Sequence, residues 1–214
     1  MEFVPKPWGR EYLCWKGNAT SIWALELNHN KSTSFHCHCN KNTGLIVLDG
    51  EVSVELLNGK FNLSQLQKIN IFQRRFHKST AVSENGAIIL EIESPVNKED
   101  LVRWTDMHGR TSSAYESERK QFENSETFID LQKCLKKPQK HFGLEFLITN
   151  SSNFDFVDDK ENNLIVPLEG GLIHEDEESM VVGPGDVLTL KIYKMLAEKF
   201  SPSKDFISLY IRKA

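Results

Sequence analysis

The chain has 214 residues, of which 39% are hydrophobic and 26% are charged, as in ordinary soluble globular proteins. Its net charge of −4, from 26 basic and 30 acidic residues, argues against nucleic acid as a partner. No apolar run approaches the roughly 20 residues that a membrane span needs, and the N-terminus lacks the layout of a signal peptide. We therefore expect no membrane contact and a cytoplasmic location.

Short strand signals separated by turns fill the chain up to about residue 95. A Pro- and Gly-punctuated arm at 6–11 precedes them, and Asp49-Gly50 and Asn58-Gly59 each predict a hairpin turn between the flanking strands. The predicted strands are 12–15, 20–28, 33–39, 44–48, 51–57, 60–63, 69–72, 74–78 and 87–93. So many short strands without a convincing helix predict a small antiparallel barrel or jelly roll.

The second half of the chain predicts a connector and then a second, shorter β-unit. Residues 116–140 are charged, and 128–135 have the weak periodicity of a short helix. Strand signals return at 144–148, 163–168, 171–174, 180–182, 187–192 and 205–211. The expected organisation is a metal-binding barrel at 1–95, a partly helical connector at 96–143 and a β-domain at 144–214.

Two histidines one residue apart, His36 and His38, are the main chemical signal. Side chains at i and i+2 of a strand point to the same face, so these two imidazoles converge, and a metal ion is the usual reason for that arrangement. His77 is a third candidate. Cys37 and Cys39 alternate with the histidines, so we expect them to face away from the site, as ordinary thiols of a reducing compartment.

These residues resemble the cupin superfamily. His36, His38, Thr43 and Gly50 fall on the first cupin motif, G-x5-H-x-H-x4-E-x6-G, except that its first Gly is absent and Thr43 stands where the motif has Glu. His77 takes the place of the single His of the second motif. Gly183-Pro-Gly-Asp186 is similar to the turn that precedes this motif, so the resemblance implies two double-stranded β-helix barrels, the second without a working site.

A narrower resemblance involves the N-terminal arm. Lys6-Pro-Trp-Gly9 ahead of the His-x-His strand is similar to the opening of cupin sugar-phosphate isomerases of the type II phosphomannose isomerase kind. Asp106-Met-His-Gly-Arg110 is similar to a segment that follows the barrel in bacterial cupins of sugar pathways. Together they imply a small, anionic sugar as substrate.

The resemblance implies a divalent transition metal held by His36, His38 and His77, with open positions for water or substrate. Three neutral imidazoles suit Zn, Fe or Ni. Because Thr43 replaces the carboxylate, the site is one charge more positive, which favours an anionic ligand.

Seven residues are candidates for binding the substrate around this metal. The arginines offer paired donors for phosphate or carboxylate, and Trp8 could stack on a sugar or simply plug the barrel. The candidates are Lys6, Trp8, Arg10, Thr43, Arg74, Arg75 and Arg110. For a general base, the sequence offers Glu91 or Glu93, which could face inward from the last strand of the first barrel.

The second unit lacks this chemistry when residues are counted without insertions. Its ligand positions then hold Phe156, Asp158 and Asn163, and the last histidine position falls near Met195 or Leu196. We expect this unit to cover the mouth of the first barrel or to form a homodimer contact.

Three functions fit these patterns. The first is an isomerase or epimerase of a phosphorylated or nucleotide-linked sugar. The second is a non-haem iron dioxygenase with three histidine ligands, and the third is a non-catalytic cupin that binds a small molecule. The His-x-His strand alone predicts the metal but does not distinguish the reactions.

Overall fold

The computed structural model describes residues 1–110, 115–116, 118–123, 128–135, 137–150, 162–174 and 179–214. Within these ranges no helix combines the length and the apolar character that crossing a bilayer requires.

Strands dominate the N-terminal part of the chain. They are β1 (Glu2–Lys6), β2 (Gly9–Lys16), β3 (Ser21–Leu27), β4 (Phe35–Cys37), β5 (Asn42–Asp49), β6 (Val52–Leu56), β7 (Gly59–Leu63), β8 (Lys68–Ile71), β9 (His77–Ala81), β10 (Ala87–Ser94), β11 (Val102–Thr105) and β12 (Lys120–Gln121). They form a seven-stranded sheet I, in the order β12-β1-β2-β3-β10-β5-β8, and a five-stranded sheet II, in the order β11-β4-β9-β6-β7.

From β3 to β10 the connectivity is that of a jelly roll. These eight strands form two facing sets, which are hydrogen-bonded in the orders β3-β10-β5-β8 and β4-β9-β6-β7. All their described pairings are antiparallel. The all-β double-stranded β-helix predicted from the sequence is therefore confirmed.

The described strands from residue 139 onward follow a similar order. The described elements of the second unit are a 3-10 helix (Leu131–Leu135), β13 (Gln139–His141), β14 (Leu144–Thr149), β15 (Leu164–Glu169), β16 (Leu172–Ile173), β17 (Met180–Val182), β18 (Leu188–Thr189), α1 (Leu190–Ala197), β19 (Ser201–Pro202) and β20 (Ile207–Lys213). The set β14-β20-β15-β18 corresponds to β3-β10-β5-β8, and β19-β16-β17 corresponds to β9-β6-β7. The segment between β14 and β15, where the counterpart of β4 would fall, lies largely outside the described residues.

Both faces of the central strands β3, β5 and β10 of sheet I are buried, which explains why these strands are apolar. Leu25 and Leu27 of β3 face the barrel interior, whereas Ile22 and Ala24 belong to a core shared with β14, β15 and β20 of the second unit. Polar contacts add to this packing, because the side-chain amide of Asn70 donates to the Val187 carbonyl (3.1 Å) and accepts from its N–H (3.0 Å). The second unit therefore covers the back of sheet I.

The segment expected to be a connector also extends the first barrel. It supplies β11, which pairs with β4, and β12, which pairs with β1. Its predicted short helix is present as the 3-10 helix. The ranges 1–95, 96–143 and 144–214 remain predictions as domain boundaries.

Two local predictions are wrong. Asp49-Gly50 does turn the chain, with Gly50 at φ +73°, but β5 and β6 pair in different sheets instead of forming a hairpin. The predicted strand at 187–192 ends at Thr189, whose side chain caps α1 by accepting from the Ile192 N–H. The buried residues of that helix are Leu190 and Tyr193, which are three positions apart. The apolar residues at the end of this segment therefore follow the spacing of a helix and not that of a strand.

Candidate metal centre

The three predicted histidines meet at one point inside the first barrel. His36 on β4 lies directly opposite His77, the first residue of β9, and His38 follows β4 immediately. Their ligand nitrogens all lie within 4.8 Å of one another, and all three residues are buried. Within the described residues, neither Asp, Glu nor Cys joins this group.

Each imidazole is oriented by a backbone carbonyl. The Nδ1 atoms of His36, His38 and His77 contact the carbonyls of Ser34 (2.8 Å), Asp100 (2.5 Å) and Arg75 (3.0 Å). With Nδ1–H donating outward, each Nε2 keeps its lone pair for the centre. The buried Nε2 atoms of His38 and His77 have no hydrogen-bond partner in the described part of the chain. This donor set fits a metal ion.

The surroundings keep these imidazoles neutral, as metal ligation requires. Burial lowers the pKa of His36 well below its ordinary value, and the neighbouring His77 and His38 lower it further. Burial, together with the charge of Lys41, lowers the pKa of His38 to about 3. The pKa of His77 is also lowered by burial. At neutral pH all three can act as ligands without losing a proton.

Inward-facing carboxylates lie on β10 beside Thr43. Thr43 is buried directly across from Glu93, and its hydroxyl has no hydrogen-bond partner among the residues described. Glu91 and Glu93 line the same pocket as His36 and His38. Ala87 and Ile89, on the same face of β10, belong to the barrel core. Strand alternation therefore turns Glu91 and Glu93 inward as well.

Asp100 holds the ligand strand in place, although nothing in the sequence pattern pointed to it. Its carbonyl accepts from the His38 ring, and its carboxylate accepts from the N–H groups of Cys39 (2.9 Å) and Asn40 (2.8 Å). The side chain therefore fixes the turn that follows His38.

We expect Asp100→Ala to weaken metal binding by about 10-fold, because losing the carboxylate loosens the turn after His38, while the backbone carbonyl that orients the His38 ring is retained. Competition against a chromophoric chelator would measure the affinity. Glu99→Ala changes the exposed neighbouring carboxylate and should leave the affinity unchanged. Equal affinities for the two variants would contradict this role for Asp100.

A network of buried ion pairs surrounds the histidines. Lys41 contacts Glu93 at 2.6 Å with both side chains 1% exposed. Lys98 contacts Glu91 and Glu93 at 3.3 Å each and Glu11 at 3.7 Å, and it lies 4.3 Å from the centroid of the Trp23 ring. Sequence reasoning missed Lys41 and Lys98, which belong to no motif, because their proximity to the glutamates arises only when the barrel closes.

A second group of charges lies at the outer edge of the pocket. Lys6 contacts Glu116 at 2.8 Å and lies 3.9 Å from the centroid of the Tyr115 ring. Arg110 contacts Asp106 and Glu116 at 2.7 Å each. The structure thus brings the predicted residues Lys6 and Arg110 to the pocket, but pairs both with carboxylates.

These pairs predict a loss of stability in acid. Burial alone would raise the pKa values of Asp106 and Glu116. Hydrogen bonds and the charge of Arg110 instead lower the pKa of Asp106 to about 2. Lys6 and Arg110 lower the pKa of Glu116 to about 2 in the same way. Because the ordinary values are 3.8 and 4.5, the stabilisation is complete above that range and disappears as the pH falls toward 2.

We therefore expect Arg110→Met to flatten the dependence of the unfolding free energy on pH between about 4.5 and 2. Urea denaturation at several pH values would measure it. Arg119→Met, which removes an exposed contact with Glu2, serves as the control. Parallel curves for wild type and Arg110→Met would rule out these pairs as the source.

The other predicted substrate-binding residues are dispersed. Trp8 is buried in the barrel core and lines the pocket. Arg10 contacts Glu26 at 2.6 Å, and its guanidinium lies over the rings of Phe3 and Phe122, away from the residues that line the pocket. Arg74 and Arg75 are exposed and do not line it either. A substrate role for any of these residues remains a prediction.

The ligand positions predicted for the second unit are only partly described by the structure. Phe156 and Asp158 lie outside the described residues, and Asn163 is buried just before β15. The last predicted histidine position, at Met195 or Leu196, lies inside α1. The strand equivalent to β9 begins instead at Ser201. The equal-spacing count fails because α1 is inserted between β18 and β19.

No family model and no curated protein matches this chain. Among solved structures, it is similar to KdgF from Halomonas sp. (17% identity, 43% of this chain and 84% of that chain, TM-score 0.41). It is similar to the capsular polysaccharide assembling protein CapF from Staphylococcus aureus (12% identity, TM-score 0.45), with 49% of this chain spanning 34% of that one. A third is a sugar phosphate isomerase of the cupin superfamily from Silicibacter pomeroyi (11% identity, 36% of this chain and 52% of that chain, TM-score 0.35).

Proposed function

We propose that this protein is a metal-dependent enzyme that isomerises or epimerises a phosphorylated or nucleotide-linked sugar. One observation carries the proposal: of three neutral imidazoles that lie together, His36 and His38 line a pocket with carboxylates whose pKa values are shifted in opposite directions. Isomerisation and epimerisation both need a base to remove a proton from carbon and an acid to return one.

His36, His38 and His77 would hold the metal, with Zn, Fe or Ni as the ions that suit three imidazoles. When bound, a divalent ion polarises a carbonyl or hydroxyl oxygen and stabilises the negative charge that develops on it. The chain's own residues must then move the proton.

Glu91 and Glu11 are the candidates for base and acid. Burial alone would raise the pKa of Glu91, but Lys98, Lys41 and His77 lower it on balance, so this carboxylate is ionised and can accept a proton. Burial raises the pKa of Glu11 more than Lys98 and Lys6 lower it, so this carboxyl retains a proton more readily. Two carboxyls with pKa values moved apart in one pocket are typical of acid–base pairs.

The charge of the pocket suits an anionic substrate. Lys6, Lys41, Lys98, Arg103 and Arg110 line it together with Glu11, Glu91, Glu93 and Glu116, and Asp106 pairs with Arg110. The five cations therefore match the five carboxylates when all are ionised and exceed them when Glu11 holds its proton, and a divalent ion on three neutral ligands makes the site net positive. A phosphate or diphosphate on the substrate would offset this charge.

A three-histidine iron dioxygenase is the second candidate. It is favoured by the ligand group itself, which contains no carboxylate in the described part of the protein. Such a shell leaves room for a substrate and O2 on the same ion.

The test is turnover by the metal-loaded protein in D2O, with hexose 6-phosphates and UDP-4-keto-hexoses as substrates. NMR would follow deuterium incorporation next to the carbonyl, and an oxygen electrode would follow O2. We expect exchange without O2 uptake, and a loss of about 100-fold or more in Glu91→Gln with metal content retained.

Glu55→Gln, which changes a carboxylate on the outer side of β6, is the matched control and should keep full activity. Substrate-dependent O2 uptake would replace the proposal with the dioxygenase. Binding without any turnover across the panel would replace it with a non-catalytic binding protein.

A further inference from the structure

Two thiols lie on the reverse side of the strand that carries the metal ligands. Cys37 is the last residue of β4, and Cys39 follows two residues later, so His38 stands between them. Among the described residues, the lining of the metal pocket includes His36 and His38 but neither cysteine. Because side chains alternate along an extended chain, the two thiols share the face that points away from the metal.

Contacts on that face agree with this orientation. Cys37 pairs with Val102 on β11, while the next residue of β11, Arg103, turns inward and lines the metal pocket. Phe35, two residues before Cys37, stacks on Trp104, whose side chain is 57% exposed. The cysteine face of β4 is therefore the outer face of sheet II.

The two thiols lie within reach of each other. Burial raises the pKa of the Cys37 thiol, and the charge of Cys39 and a hydrogen bond between the two side chains raise it further. Cys37 is buried, whereas Cys39 is partly exposed, so an oxidant from solution meets Cys39 first. Two sulfurs at hydrogen-bond distance must approach to about 2.05 Å to form a disulfide, so the backbone between these cysteines has to move.

That backbone is the part of the chain that positions His38. The Cys39 N–H donates to the Asp100 carboxylate at 2.9 Å, and His38 Nδ1 contacts the Asp100 carbonyl at 2.5 Å. Side chains two residues apart on a strand are roughly 6.5 Å apart along the chain, whereas the Cβ atoms of a disulfide are about 3.5–4.5 Å apart. Drawing Cys39 toward Cys37 therefore pulls both contacts with Asp100 out of place and turns the His38 ring away from the other two ligands.

We propose that Cys37 and Cys39 form a reversible disulfide that weakens metal binding by displacing His38. Hydrogen peroxide oxidises the Cys39 thiol to a sulfenic acid, and one peroxide oxygen leaves as water. The Cys37 sulfur then attacks the Cys39 sulfur, and the hydroxyl leaves with the Cys37 proton as a second water. Two thiols and one peroxide thus give one disulfide and two waters, and an external dithiol reverses the change by thiol–disulfide exchange.

Metal binding and oxidation oppose each other in this arrangement. A bound ion fixes His38, so it disfavours the disulfide by the same factor by which the disulfide weakens metal binding. Disulfides that are partly exposed and hold the chain away from its preferred geometry are also the readily reduced ones, which suits a switch. The inference requires the metal centre but not the sugar chemistry, so it goes beyond the proposed function.

The experiment treats the protein with hydrogen peroxide, both without metal and loaded with Zn, which has no redox chemistry of its own. Trypsin cleaves after Lys31 and Lys41, so both cysteines lie in the single peptide 32–41, and mass spectrometry detects the disulfide as the loss of two hydrogens. We expect this loss in the metal-free protein and a slower loss in the Zn-loaded protein. Chelator competition should show Zn affinity about 10-fold lower after oxidation, and dithiothreitol should restore it.

Two variants keep the test independent of folding. Cys39→Ser preserves the size of a partly exposed side chain, and its Zn affinity should not change with peroxide. Cys14→Ala, which removes a thiol from the core shared with the second unit, is the matched control and should respond like the wild type.

His77→Ala tests the coupling to the metal. Zn should slow disulfide formation in the wild type but not in this variant, which lacks a ligand. Two free thiols in peptide 32–41 after peroxide has oxidised free dithiothreitol in the same solution would overturn the inference. So would a disulfide that leaves the Zn affinity unchanged.

Discussion

His77→Ala is expected to abolish stoichiometric metal binding. The substitution removes one of three imidazoles whose ligand atoms lie within 4.8 Å of one another, and the two that remain lie on or next to β4. Losing a hydrogen bond that orients a metal ligand lowers the metal affinity by about 10- to 100-fold. Losing the ligand itself should therefore lower the metal affinity by more than about 100-fold. Elemental analysis of the purified protein, together with chelator competition, would measure both quantities.

The matched control is His29→Ala. His29 is exposed, its Nδ1 contacts the Ser83 carbonyl at 2.9 Å, and it has no part in the cluster. Metal content should remain at one ion per chain in this variant. If His77→Ala kept its metal, the candidate centre and every role assigned around it would be wrong.

Lys41→Met is expected to destabilise the fold by about 3 kcal/mol. Its ammonium group donates to Glu93 at 2.6 Å and to the Asn97 carbonyl at 3.0 Å, and both partners of the ion pair are 1% exposed. Removing one partner of a buried pair leaves the other charge without its compensation, which typically costs about 3–5 kcal/mol. Lys98 still contacts Glu93 at 3.3 Å, which places the estimate at the lower end.

Urea denaturation would measure this effect, with Lys78→Met as the control. Lys78 contacts Glu55 at 2.9 Å, but the two side chains are 26% and 44% exposed, so its loss should cost less than about 1 kcal/mol. The double variant Lys41→Met/Glu93→Gln should regain part of the stability, because it leaves no unpaired buried charge. Equal effects for the two lysine variants would show that burial of the Lys41 pair contributes nothing.

The strand pattern and the pair His36 and His38 could be predicted because both depend on short-range periodicity, whereas His77 was placed by the resemblance to the second cupin motif. Alternation along a strand puts His36 and His38 on one face whatever the rest of the chain does. The same rule allowed Glu91 and Glu93 to face inward. Asn58-Gly59 was also predicted correctly, since β6 and β7 pair across a two-residue turn from Leu56 to Gly59.

Asp49-Gly50 shows where local reasoning fails. Its turn chemistry is as favourable as that of Asn58-Gly59, but the strands that it joins belong to sheets I and II. A turn sequence fixes the local backbone, whereas the partner of a strand depends on which distant strands cover its apolar faces. The apolar run at 187–192 was ambiguous for the same reason, and packing of Leu190 and Tyr193 decided for a helix.

The sequence by itself determined the β-architecture and the inward-facing pair His36 and His38, because a period of two residues is a property of the strand alone. Only the tertiary structure decided what surrounds those imidazoles. Arg10, Arg74 and Arg75 carry suitable chemistry but lie away from the pocket, whereas Lys41, Lys98 and Asp100 line or brace it without any motif. Contacts between residues that are distant in the chain follow from barrel closure and sheet pairing, which no local pattern encodes.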